Sequence, residues 1–141
     1  MPNEKSCGIV IFRSLLNERK YLVLHYEEGH WDFPKGHVEK GEEEIETALR
    51  ETIEETGISD IDIITGFRER IEYSYKKEGK TSLKEVFFFL GCTRTSTVRL
   101  SVEHIGFEWL TYEMALQKLT YENAKEILRQ AHTFLHKANK S

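Results

Sequence analysis

The run Gly36-His37-Val38-Glu39-Lys40-Gly41-Glu42-Glu43-Glu44-Ile45-Glu46-Thr47-Ala48-Leu49-Arg50-Glu51-Thr52-Ile53-Glu54-Glu55-Thr56-Gly57-Ile58 decides how this chain folds. Its spacing predicts a helix over Glu42 to Thr56. Ile45, Ala48, Leu49, Thr52 and Ile53 recur at i, i+3, i+4, i+7 and i+8, the pattern of one buried stripe. Glu42, Glu43 and Glu44 crowd the first turn, where the helix dipole favours negative charge. Gly57 stands where a C-cap glycine belongs. Glu51, Glu54 and Glu55, at i, i+3 and i+4, share one side of the helix beside the apolar stripe. Like charges at that spacing repel by a few tenths of a kcal/mol per pair. A hard divalent cation relieves the repulsion and takes carboxylate oxygens as ligands. Three glutamates alone, however, describe a solvated acidic face equally well.

Upstream, Glu27 to Gly41 has no hydrophobic period and carries three glycines and a proline. A loop of about 15 residues in a compact domain is usually functional. Before it, Gly8 to Phe12 and Tyr21 to His25 read as strands, joined through a turn at Ser14 to Arg19 as a hairpin. Downstream, Asp60 to Thr65, Phe67 to Tyr75, Val86 to Cys92 and Phe107 to Leu110 read as strands, with Lys76 to Lys84 as a charged loop. The consecutive Phe87, Phe88 and Phe89 must point to both faces of a sheet, so most of that run belongs to the core. Thr111 and Thr120 are candidate N-caps, and the last helix presents Ala124, Ile127, Leu128, Ala131 and Leu135 on one face. Strands and helices mix without regular alternation. That pattern fits an α/β (α+β) layered domain and disfavours a doubly wound parallel sheet.

The 141 residues suit a single domain spanning 1–141, large enough for a core without disulfides or structural metals. A formal net charge of −4 argues against a general nucleic-acid binder, so no stable nucleic-acid partner is expected. The two distant cysteines, Cys7 and Cys92, read as free thiols. The polar stretch Met1 to Ser6 lacks the apolar segment of a signal peptide. Val86 to Leu90, the longest strongly apolar run, falls far short of the ~20 residues of a membrane span. A cytoplasmic, monomeric protein with no membrane association is the expectation.

Gly36, five residues, Glu42, seven residues, and then Arg50-Glu51-Thr52-Ile53-Glu54-Glu55-Thr56-Gly57-Ile58 resembles the Nudix box, G-x5-E-x7-R-E-U-x-E-E-x-G-U with U apolar. Thr52, at the first apolar position, is the one departure, and it leaves the acidic residues intact. The resemblance implies a mixed β-sheet sandwiched between helices and a hydrolase that uses Mg²⁺ or Mn²⁺ on a phosphoanhydride bond. By the same resemblance Glu51, Glu54 and Glu55, with the Gly36 carbonyl, hold the metal, while Arg50 pairs with Glu42. Clustered cations neutralise phosphoryl oxygens and make water nucleophilic, so no covalent nucleophile is needed.

The flanks extend the likeness. His30-Trp31-Asp32-Phe33-Pro34-Lys35-Gly36-His37-Val38-Glu39, Val98-Arg99-Leu100-Ser101 leading to Glu103-His104, Trp109-Leu110, and His132-Thr133-Phe134-Leu135 resemble the asymmetrical diadenosine tetraphosphate hydrolases. That likeness implies phosphate contacts from Lys35, His30 and Tyr26, with Lys84 and Lys80 reaching in from the charged loop. It implies adenine stacking by Tyr121 and by Tyr75 or Tyr73. It places Glu103 at the metal as ligand or general base, though Glu51 or Glu55 serves equally well as the base, and it gives Lys35 a part in catalysis. The expected partner is a small-molecule nucleotide, most simply Ap4A split to ATP and AMP. The alternatives are other pyrophosphohydrolase substrates: 5′-triphosphate RNA, a diphosphoinositol polyphosphate or a nucleotide sugar. A non-catalytic nucleotide-sensing module is disfavoured because every box glutamate is present.

Overall fold

The computed structural model describes residues 4–138, so half of the polar stretch 1–6 lies outside the described residues. In chain order the elements are β1 (Glu4–Leu15), β2 (Glu18–Tyr26), β3 (Trp31–Asp32), β4 (Lys35–His37), α1 (Glu44–Thr56), β5 (Asp62–Ile63), β6 (Glu69–Lys77), β7 (Lys80–Cys92), β8 (His104–Leu110), α2 (Tyr112–Lys118) and α3 (Glu122–Ala138). The hairpin turn between β1 and β2 is confirmed, with Leu16 and Asn17 at φ 53° and 67°. That two-residue, left-handed geometry matches the twist of antiparallel strands.

A single mixed sheet runs β3-β2-β1-β7-β5, with β8 on β2, β4 on β1 and β6 on β7. β1 and β7 are parallel over a long register from Glu4↔Lys84 to Phe12↔Cys92. Their central stretches, 6–12 of β1 and 86–91 of β7, are buried on both faces, which is why these read as near-continuous apolar runs rather than alternating. On one face Val10, Val23, Phe88 and Leu90 pack against Ala124, Ile127, Leu128, Ala131 and Leu135 of α3, the face expected of that helix. On the other, Ile9, Ile11, Leu22, Leu24, Phe87 and Phe89 meet Ala48 of α1 and Ile58. The layers are therefore helix, sheet, helix. Both cysteines are free, Cys7 buried and Cys92 half-buried. Among the described residues no helix is long and apolar enough to cross a membrane.

Several expectations need correction. α1 starts at Glu44, not Glu42, with Glu43 as its N-cap and the Glu46 carboxylate accepting from the Glu43 N–H at 2.8 Å. Glu42 is left free to bond the loop. The buried side of α1 is Thr47, Ala48, Thr52, Glu55 and Thr56, whereas Ile45 and Ile53 are 39% and 48% exposed. Small side chains let the helix lie close over the sheet, and this rotation carries Glu55 inside. The strand expected at Asp60–Thr65 shortens to Asp62–Ile63, because Asp60 turns its carboxylate to Thr93, Thr95 and the Arg94 N–H. The supposed charged loop Lys76 to Lys84 is instead β-structure, broken only by Glu78 and Gly79 at φ 52° and 78°. Thr111 caps α2 as expected, but Thr120 does not cap α3; its hydroxyl accepts from the Trp31 N–H at 2.8 Å.

Candidate active site

Gly36 sits in β4 directly beneath α1. A Cβ on it would fall 2.0 Å from the Glu51 carboxyl carbon, so only glycine lets the loop lie against that carboxylate. Arg50 fastens the loop from the other side. Its Nε donates to Glu42 at 2.6 Å and its guanidinium nitrogens to Glu42, the His37 carbonyl, Glu51 and Glu54 at 2.9–3.2 Å. A planar fork with five donors can serve these acceptors together, which an ammonium cannot. The hydrogen bonds from Arg50 and Thr47 hold the Glu42 carboxyl down at about 2.

Glu55 lies one turn beyond Glu51, 4% exposed, with Oε1 buried and unpartnered. Burial, then the nearby Glu51 and Glu103 carboxylates, push its pKa up to about 9. A carboxylate so placed lacks a counter-charge. Glu51, Glu55 and Glu103 line one cavity, and their hard oxygens suit a divalent cation. Among the described residues no three acidic, His or Cys side chains already form a metal cage. Here Arg50 neutralises Glu51 and Glu54, and Glu54 lies outside the cavity lining. The donor set thus fits a cation chemically, with Gly36 also on the cavity wall.

Opposite the carboxylates stand cations. Lys35 donates to Asp32 at 2.7 Å, and Asp32's other oxygen accepts from the Phe33 N–H at 2.7 Å. Burial pulls the Lys35 pKa down, but Asp32 outweighs it and the ammonium stays charged, its pKa above the ordinary value. Lys84 lines the same cavity; burial and then the charge of Lys35 lower its pKa. Lys80 is not brought there: it faces Lys77 at the tip of the β6–β7 hairpin.

Aromatic rings complete the wall. Tyr26 stacks on His30 at 4.5 Å, leans on His104 at 4.3 Å, and donates its hydroxyl to the Phe33 carbonyl at 2.7 Å. That hydroxyl proton is therefore committed inward. Burial lowers the His30 pKa. Tyr121, 54% exposed, lies 5.6 Å from His30, while Tyr73 and Tyr75 stand 6.4 Å apart on β6. Tyr26, His30, Lys35, Gly36, Glu51, Glu55, Tyr73, Tyr75, Lys84, Glu103 and Tyr121 all border one cavity of about 1250 Å³.

Residues that the sequence reading passed over share it. Asp32, which fixes Lys35, had a signal in its i, i+3 spacing within the motif. Glu4 had none; it accepts from the Tyr75 hydroxyl and pairs with His37 at 3.2 Å. These two hydrogen bonds bring the Glu4 carboxyl down to about 2.

Known proteins resemble this chain in sequence and in fold. The NUDIX domain profile matches residues 6–131. The bis(5′-nucleosyl)-tetraphosphatase [asymmetrical] of Mus musculus is 40% identical over 143 residues, covering 93% of this chain and 95% of the relative. The Caenorhabditis elegans protein of the same name is 35% identical over 136 residues, covering 93% and 96%. The solved structure of a C. elegans Ap4A hydrolase binary complex superposes with a TM-score of 0.83 at 33% identity, covering 94% of this chain and 98% of that one. With a box helix, a glycine-backed carboxylate and a family match over nearly its whole length, this chain belongs to the Nudix family and is one of its hydrolases.

Proposed function

We propose that this chain hydrolyses P¹,P⁴-bis(5′-adenosyl) tetraphosphate to ATP and AMP, as a monomeric, single-domain cytoplasmic enzyme using Mg²⁺ or Mn²⁺. One observation carries the reading: a single cavity of about 1250 Å³ joins a carboxylate cluster, three lysines (Lys35, Lys77 and Lys84) and four tyrosines. That exceeds the roughly 300–1,000 Å³ of most small-ligand sites and suits a substrate with two nucleosides and a long polyphosphate. The similarity to enzymes named for this activity supports the same substrate.

Glu51, Glu54, Glu55 and Glu103, with the Gly36 carbonyl, would hold the cation, which supplies charge neutralisation on phosphoryl oxygens and acidifies water. Lys35, fixed by Asp32, and Lys84 hold the polyphosphate, with His30 and Tyr26 beside it. One of Glu51, Glu55 or Glu103 takes the proton from the attacking water. The water oxygen bonds to phosphorus, the anhydride P–O bond breaks, and the departing oxygen leaves with the second nucleotide. Tyr121, with Tyr75 or Tyr73, stacks on adenine; each ring contributes about 1–3 kcal/mol.

Chromatographic product analysis tests this. Wild type with Mg²⁺ and diadenosine tetraphosphate is expected to give ATP and AMP in equal amounts, and Glu55→Gln to lose turnover by about 10²–10⁴-fold. Two ADP would overturn the asymmetric cut. Turnover only of 5′-triphosphate RNA, a diphosphoinositol polyphosphate or a nucleotide sugar would keep the family and replace the substrate.

A further inference from the structure

His104 begins β8 and takes no part in the chemistry above, yet it is 6% exposed and abuts the carboxylate cluster. Its Nε2 faces Glu55 Oε1 across 3.5 Å. Both atoms are buried, and neither has a hydrogen-bond partner. Two polar atoms left open toward each other at that separation are poised to bond after a small shift, and catalytic hydrogen bonds often tighten only on loading. The ring is fixed from two sides, by Tyr26 at 4.3 Å and by Ser101 Oγ at 3.0 Å from Nδ1. Ser101 Oγ also lies 3.4 Å from the Glu103 N–H, which can donate to it. With its oxygen accepting there, the hydroxyl is free to donate its proton to Nδ1. A neutral ring then carries its single proton on Nε2, toward Glu55.

We infer that His104 is a positioning residue for the metal site: Ser101 sets its tautomer, and its Nε2–H orients the Glu55 carboxylate toward the cation. The inference rests on the reading of Glu55 as a metal ligand. Ligating carboxylates are commonly held by outer hydrogen-bond donors, and losing one costs about 10–100-fold in metal affinity. Ser101 and His104 also flank Glu103, so one short turn serves two members of the cluster.

The test is titration of Mn²⁺ alone into the full chain, followed by electron paramagnetic resonance, with no nucleotide present. Variants are His104→Asn, His104→Gln, Ser101→Ala and Glu55→Gln, each checked for an unchanged melting curve shape. A glutamine amide nitrogen reaches the position of Nε2, and an asparagine amide only that of Nδ1. His104→Asn is expected to weaken Mn²⁺ binding about 10-fold or more, while His104→Gln keeps most of the affinity. Ser101→Ala should weaken it less, and add nothing in the His104→Asn background. Equal binding by His104→Asn and wild type overturns the proposal, as does an equal loss in the Asn and Gln variants, which would mark a packing role. If Glu55→Gln binds Mn²⁺ as wild type does, the metal-site reading itself fails and this inference falls with it.

Discussion

Thr52 occupies the box position where an apolar residue is the rule, on the side of α1 pressed against the sheet. Its hydroxyl is buried with no hydrogen-bond partner. Thr56, one turn on, solves the same problem by donating to the Thr52 carbonyl at 2.7 Å and accepting from the Ile58 N–H at 3.1 Å. An unpaired buried hydroxyl costs about 1–3 kcal/mol. Thr52→Val keeps the shape and removes that penalty. It should raise stability by about 1 kcal/mol, or about 3 °C in melting temperature for a chain of this size, with kcat unchanged. A melt that falls by as much would mean the hydroxyl is bonded in solution. The sequence exposed Thr52 as the odd residue of the box but placed it on a stripe with Ile45 and Ile53. Periodicity cannot separate adjacent helix faces when threonine and alanine, rather than isoleucine, are the residues turned inward.

The β6–β7 hairpin shows what register adds to composition. Lys76 to Lys84 reads as a loop because strands reaching past the core lose their apolar alternation, and Glu-Gly is a weaker turn signal than Asn-Gly or Asp-Gly. The two-residue turn sets Lys77 opposite Lys80 and Tyr73 opposite Lys84. Lys84 therefore lines the cavity, while Lys80 stands at the outer tip. With diadenosine tetraphosphate as substrate, Lys84→Ala is expected to lower kcat/KM by about 10–100-fold, the loss of one charge-assisted phosphate contact of about 1.5–3 kcal/mol. Lys80→Ala should change it by no more than a surface charge does. Steady-state kinetics on both variants decides the matter: equal losses would mean the hairpin folds over the substrate, and a loss confined to Lys80→Ala would reverse the register argument.

Across the molecule, the readily legible parts were those written locally: the box, the α3 face and the paired strands β1 and β2. The cavity is less local, since Glu4 meets Tyr75 and Lys84 only through the parallel pairing of β1 with β7, eighty residues apart in register. The same holds for what ties α1 down. Glu44 accepts from Lys5 of β1 at 2.7 Å and from the Arg68 guanidinium at 2.7 and 2.9 Å, and Arg68 in turn lies 4.1 Å from the Phe87 ring centroid. The Arg68 hydrogen bonds, with help from Lys5, hold the Glu44 carboxyl down at about 2 against an ordinary value of 4.5. A depressed folded-state pKa means the unfolded chain binds more protons between those values, so stability rises with pH across that window. The contribution is complete above about pH 4.5 and is lost as pH falls toward 2. Glu44 is partly exposed, so solvent screening limits its worth to about 1 kcal/mol. Glu44→Gln should thus be less stable than wild type by about that amount at pH 7, with the two urea-unfolding midpoints converging as pH falls from 4.5 to 2. A gap that stays constant across that range would mean that Glu44 holds α1 to the sheet by shape rather than by charge.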